Sequence, residues 1–250
     1  MPEHKIHIRF YEELNDFLPE EKKKKRFVHQ FIDRASIKDL IESIGVPHTE
    51  VDLILVNGKS VNFRYLIKDG DDISVYPVFE SFDITEVQHL RPKPLRKPKF
   101  VADVHLGRLT RYLRMIGFDV SYKNNFNDDE IVRISLQEKR AILTKDRGIL
   151  KRNEVTHGYY VRNTKVEEQV KEILKRFDLQ NEIKEFSRCL ECNELLKSIK
   201  KETIIKQLPP KVAASQNEFY KCPSCKKIYW KGSHYQRMLT FIQSTKDIDK

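Results

Sequence analysis

The chain has 250 residues, 39% of them hydrophobic and 34% charged, which is too long for one small domain and too rich in core formers for a disordered chain. A formal charge of +10 and a pI near 9.3 favour a polyanionic partner, nucleic acid first, although a Lys-rich solvated surface would give the same total. Mean hydropathy is -0.60. No stretch approaches the roughly 20 apolar residues of a membrane span, and the charged N-terminus does not read as a signal peptide, so the expected location is cytoplasmic, with no membrane partner.

In chain order, KIHIRFY and FVHQFID alternate as strands and flank the basic run 22–26, a hairpin pattern. Ser36 can cap a helix over SIKDLIESIGV, in which Ile37, Leu40, Ile41 and Ile44 keep helical spacing. The strand VDLILVNGKSV carries an Asn57-Gly58 turn, and DISVYPVF follows Gly70. Strand-strand-helix-strand-strand over residues 1–85 predicts a ubiquitin-like β-grasp domain. Residues 86–98 hold Pro92, Pro94 and Pro98 among basic side chains and read as a stiff linker.

From Lys99 the rhythm changes. Strand KFVADV, helix HLGRLTRYLRMIG, strand DVSYK, helix DDEIVRISLQEK, strand AILT, strand GYYVRN and helix VEEQVKEILKRF alternate, predicting a parallel α/β/α sheet over 99–182. Leu106, Leu109, Leu113 and Ile116 form the buried stripe of the first of these helices.

All four cysteines fall in the remaining segment, 183–250, as two C-x-x-C pairs: Cys189 with Cys192, and Cys222 with Cys225. Two such turns can complete a tetrahedron of thiolates around one zinc ion, and four protein ligands leave no open position, so the expected ion is structural. Disulfides would need an oxidising compartment.

Asp103 follows the strand end FVA, Asp146 follows AILT, and Asp128 opens a helix between them. In a parallel sheet, ligands gather at the carboxyl ends of strands, and three converging carboxylates would suit a divalent cation that activates water. Helix capping explains Asp128, Asp129, Glu130 and Asp146 without any metal.

The segments FVADVHLGRLTRYLRMIGFDV, DDEIVRIS, ILTKDRGILKR, SRCLECN, CPSCKKIYW and KGSHYQRM, in this order and spacing, resemble the Mut-seven C-terminal RNase domain family. That family is related to PIN-like nucleases and carries a zinc ribbon, and the N-terminal segment resembles the β-grasp domain that often precedes it. The resemblance implies a ribonuclease whose metal-binding acids are Asp103, Asp128 and Asp146, with Asp129 and Glu130 as close substitutes and magnesium or manganese as the ion. His105 departs from the family pattern and reads as a polar residue at a helix start.

Arg108, Arg111, Lys145 and Arg147 lie beside these acids in sequence, where they can hold phosphates. Near the second cysteine pair, Lys226, Trp230, Lys231 and His234 mix cations with aromatic rings, a combination that serves single-stranded RNA, while packing against the ribbon is the competing role of Trp230. The resulting expectation is a metal-dependent ribonuclease in RNA processing or decay that hydrolyses phosphodiesters to leave a 3′-hydroxyl. DNA remains an alternative substrate, and the β-grasp domain offers a surface for a protein partner. The alternative function is a non-catalytic RNA- or ribosome-binding adaptor.

Overall fold

The computed structural model describes residues 4–32, 34–77, 90, 98–232, 235, 240 and 243. The expected linker, apart from Leu90 and Pro98, and also His234 and the strand end at Val78 and Phe79, lie outside the described residues. The chain divides into two compact units, one made of residues 1–97 and 132–160, the other of 98–131 and 161–250.

In the first unit, β1 (His4–Phe10) and β2 (Phe27–Phe31) pair antiparallel. Alternation along β1 sends Ile6, Ile8 and Phe10 into the core. Helix α1 (Ile37–Ile44) starts where the Ser36 side chain accepts from Asp39 N–H and stops at Gly45, whose φ of +117° suits glycine alone. It lays Ile37, Leu40 and Ile41 on the same core. Strands β3 (Val51–Val56) and β4 (Lys59–Ser60) are joined by Asn57 and Gly58, both at positive φ, the twist a two-residue hairpin needs. Strand β5 (Asp72–Pro77) closes the sheet, parallel to β1 and antiparallel to β3. The order β2-β1-β5-β3-β4 is that of a β-grasp sheet.

The same unit also includes residues 132–160. Strand β8 (Arg140–Thr144) runs parallel to β9 (Gly158–Tyr160), with the short helix α4 (Arg147–Leu150) between them. Polar side chains of the β-grasp fold bind this stretch at several points. Glu50 Oε1 accepts from Tyr160 N–H at 2.6 Å, and His48 faces Glu42 Oε1 at 2.6 Å and the Val155 carbonyl at 2.8 Å. Lys151 donates to the Glu42 carbonyl at 2.7 Å, and the Phe17 and Tyr160 rings meet edge to face at 5.4 Å.

In the second unit, β6 (Lys99–Ala102) runs parallel to β7 (Val120–Ser121). Between them a 3-10 turn at Val104–Leu106 leads into α2 (Gly107–Met115). Leu106, Leu109, Leu113 and Ile116 are all buried, as their spacing predicts. Gly117 follows at φ +100°, and a Cβ there would collide with the Lys184 carbonyl. Helix α3 (Asp128–Glu138) crosses the division between the units, and α5 (Val166–Arg176) buries Val170, Ile173 and Leu174. Phe100 and Phe177 meet edge to face at 5.1 Å in this core.

The C-terminal part is a small antiparallel sheet of β10 (Lys197–Ile199), β11 (Phe219–Lys221) and β12 (Ile228–Trp230), in the order β10-β11-β12. Phe219, Ile204 and Leu208 form its core, and the helix α6 (Pro210–Ser215) lends Val212 and Ala213. With so few apolar residues, this ribbon needs a further cross-link to hold its shape. Among the described residues no helix is long and apolar enough to cross a membrane.

Candidate functional site

The cross-link is at hand in the four cysteines. Their sulfur atoms all lie within 4.8 Å of one another, with Cys189 Sγ 3.5 Å from Cys225 Sγ and Cys192 Sγ 3.3 Å from Cys222 Sγ. Sulfurs about 2.3 Å from a common centre, as in a zinc tetrathiolate, stand at separations of this order. No disulfide joins them. Two turns of like form build the cluster: Cys189 N–H donates to the Glu194 carbonyl at 2.8 Å and Cys222 N–H to the Lys227 carbonyl at 2.9 Å. Asn193 and Lys226, at equivalent places after each pair, both take positive φ, which bends the backbone back under the sulfurs.

The environment splits the thiols in acidity. Burial opposes ionisation of Cys192, but hydrogen bonds from Glu194 N–H and the neighbouring thiols outweigh it and bring the group down to about 7. Burial instead pushes Cys222 up to about 12. Tyr229 rises well above the usual phenol range, chiefly through burial, and its hydroxyl lies 3.1 Å from Cys189 Sγ while accepting from Leu190 N–H at 3.2 Å. A phenol held protonated can donate to a metal-bound sulfur, the kind of outer support such ligands need.

A buried arginine fastens this first cysteine turn to the α/β layer. Arg114, 3% exposed, donates from Nε and Nη2 to the Val120 carbonyl and from Nη1 to the carbonyls of Leu190 (3.0 Å) and Glu191 (2.7 Å). Burial draws its pKa below the ordinary value, and Cys189, Cys192, Glu191 and Asp119 pull in the opposite sense. Asn193 adds a second tie, donating to Asp119 at 2.7 Å and accepting from Val120 N–H at 3.1 Å. Arg188 lies 3.5 Å from the same Asp119.

The acids stand at element ends. Asp103, 7% exposed, directly follows β6, and its carbonyl accepts from Leu106 N–H at 2.9 Å. Asp128 and Asp129 are exposed on the first turn of α3. Glu130 is engaged in a reciprocal cap: its Oε2 accepts from Asn127 N–H at 3.1 Å and its own N–H donates to Asn127 Oδ1 at 2.9 Å. Asp146 caps α4 through Oδ1, which accepts from Gly148 N–H at 2.7 Å, while its own N–H donates to Thr144 Oγ1 at 2.8 Å. Among the described residues, the thiols are the one set of three or more ligand atoms gathered this tightly.

Several of the expected phosphate-binding cations have protein partners. Arg111 lies 3.4 Å from Glu191, which also pairs with Lys227 at 2.7 Å. The Arg147 guanidinium sits over the Phe17 and Tyr160 rings at 5.0 and 5.4 Å. Lys226 donates to the Pro223 carbonyl and Lys231 pairs with Glu218. Arg108 is exposed on α2, and Lys145 is half-buried just after β8. Trp230 packs against the ribbon core, as its competing reading anticipated.

Residues 98–242 match the family described as Mut7-C RNAse domain. The chain belongs to the Mut7-C RNase family. Residues 3–83 match the Mut7-C ubiquitin family, in agreement with the β-grasp sheet. No curated protein and no solved structure matches the chain. Membership points this Mut7-C chain to a nuclease or RNA-related function, and the four-cysteine cluster, able to hold zinc, falls inside the matched span. Sequence reasoning missed Arg114, which reads as one more surface arginine in RYLRM and is distinguished only by its place beside the buried stripe.

Proposed function

We propose that the chain is a divalent-metal-dependent ribonuclease of RNA processing or decay. The observation that supports this most is the RNase-family match over 98–242, a span that holds Asp103, Asp128 and Asp146. These carboxylates are hard oxygen donors suited to magnesium or manganese; Asp103 directly follows β6 and Asp146 follows β8 after Lys145, near the strand ends where α/β sheets bind ligands. When bound, such an ion polarises the phosphoryl oxygen and activates water. The chain's own residues do the rest. Asp103, Asp128 and Asp146 would hold the ion, and exposed Arg108 and half-buried Lys145 would engage phosphates. Glu130 works as a helix cap through its reciprocal bonds with Asn127.

In the same reading, residues 1–85 form an interaction domain, 86–98 a linker, 99–182 the PIN-like nuclease and 183–250 the zinc ribbon. Zinc at Cys189, Cys192, Cys222 and Cys225 is structural, since every ligand position is taken by protein. A cytoplasmic location keeps those cysteines reduced.

The test is cleavage of labelled RNA and DNA by the full chain, with and without magnesium or manganese, for wild type and Asp103→Asn. Cleavage of RNA that needs the ion and disappears in the variant, with zinc content and circular dichroism unchanged, is the expected outcome. Equal cleavage by the variant would refute the acidic site. Salt-sensitive RNA binding with no cleavage under any condition would instead identify an adaptor.

A further inference from the structure

The ribbon has an aromatic cavity that neither the acids nor the cysteines use. It measures about 460 Å³ and is lined chiefly by the rings of Phe186, Tyr220, Trp230 and Tyr235, with Lys231 and Glu185 as its two charged residues. That volume lies in the range of small-ligand sites. We propose that this cavity receives an unstacked base of single-stranded RNA. The inference rests on the RNA-directed reading above and names the place on the ribbon where the strand is held.

Three independent features converge on that occupant. The first is rigidity. Tyr229, also in the wall, is held by Cys189 and Leu190, and Trp230 is backed by the ribbon core. These two rings are therefore set before a ligand arrives, and stacking does not have to immobilise them.

The second is strain. Phe186 holds φ +55°, a conformation unfavourable for a large side chain, although its N–H is fixed by a 2.7 Å bond to the Met115 carbonyl. Such outliers persist where the surroundings enforce them, and they gather at ligand clamps. The result is a Phe186 ring 4.3 Å from that of Tyr235.

The third is charge. Residues 183–232 contain eleven Lys and Arg against five Glu, so the ribbon stays cationic even after four thiolates and a zinc ion subtract two. An apolar peptide would gain nothing from that excess. A polyanion with flat aromatic bases uses both the rings and the cations, and only an unpaired base can enter the cavity.

The chain contains a single tryptophan, so Trp230 reports on the cavity directly. Full-length Asp103→Asn protein, in buffer free of magnesium, manganese and chelator, is titrated with single-stranded oligoribonucleotides and with duplex RNA of the same length. Trp230 fluorescence and the anisotropy of labelled RNA are read together. Single strands should quench Trp230 and bind at least tenfold more tightly than duplex. Phe186→Leu and Tyr220→Leu, which keep apolar volume and lose the ring, should each weaken binding roughly tenfold. Tyr220→Phe should bind like its parent, and zinc content should be unchanged in all of them.

Absence of quenching, equal affinity for duplex, or parental affinity in both Leu variants would overturn the proposal. Because quenching is read without any substitution in the cavity, a variant that fails to fold does not shield the idea. The two readings fail separately. Ring-dependent binding with no metal-dependent cleavage in wild type sinks the nuclease and leaves the cavity. Cleavage alongside ring-independent binding does the reverse.

Discussion

Arg114 is the residue on which the ribbon's attachment depends most. It carries a charge into a buried site and spends its donors on carbonyls of Val120, Leu190 and Glu191. Replacing it with methionine keeps much of the volume but strands those acceptors, at about 1–3 kcal/mol for each one left buried and unpaired. Arg114→Met should therefore lower stability by about 3 kcal/mol in urea unfolding, whereas exposed Arg108→Met should fall within about 0.5 kcal/mol of wild type. The thiols give a prediction with a definite sign. Protons and zinc compete for the same sulfur lone pairs, and Cys222, raised to about 12, holds its proton through neutrality. Zinc affinity should rise with pH across the neutral and alkaline range, and uptake should release protons, as competition with a chromophoric chelator in weakly buffered solution can show. An affinity independent of pH would mean that the thiols do not bind the ion.

At the scale of elements, α3 separates two uses of acidic side chains. Asn127 and Glu130 cap each other, so Asn127→Ala should cost about 1 kcal/mol. Glu130→Gln retains an acceptor for the same bond and should leave both stability and cleavage nearly unchanged. A cleavage loss in Glu130→Gln comparable to that of Asp103→Asn would move Glu130 from cap to metal ligand. Most elements could be read from the sequence because a strong local signal marked each: the Ser36 cap for α1, the Asn57-Gly58 turn for β3 and β4, and the stripe of Leu106, Leu109, Leu113 and Ile116 for α2. The C-x-x-C pairs likewise located the ligand cluster, since each turn is built from neighbouring residues. What escaped was set by contacts distant in sequence. Arg114 gains its meaning from carbonyls 76 and 77 residues away, and Arg147 from the Phe17 ring. Local pattern contains neither.

For the whole molecule, the ties between the β-grasp fold and residues 132–160 make the N-terminal domain part of a larger folded unit. Glu50 is 1% exposed and receives Tyr160 N–H, so Glu50→Ala leaves that donor buried without its carboxylate. Stability should drop by about 2 kcal/mol, with amide exchange quickening at Tyr160 as well as in the β-grasp strands. Exchange confined to residues near 50 would show that the two stretches open independently. The interleaving also bears on synthesis. Domains generally fold as units from the N-terminus while the chain emerges, yet the ring that meets Phe17 belongs to Tyr160, more than a hundred residues downstream. A nascent chain halted shortly after the β-grasp strands can complete that sheet, but the side of the Phe17 ring that meets Tyr160 stays wet until the ribosome has delivered β9. Chaperone recognition of the stalled chain is therefore expected to centre on Phe17, and to end when β9 emerges.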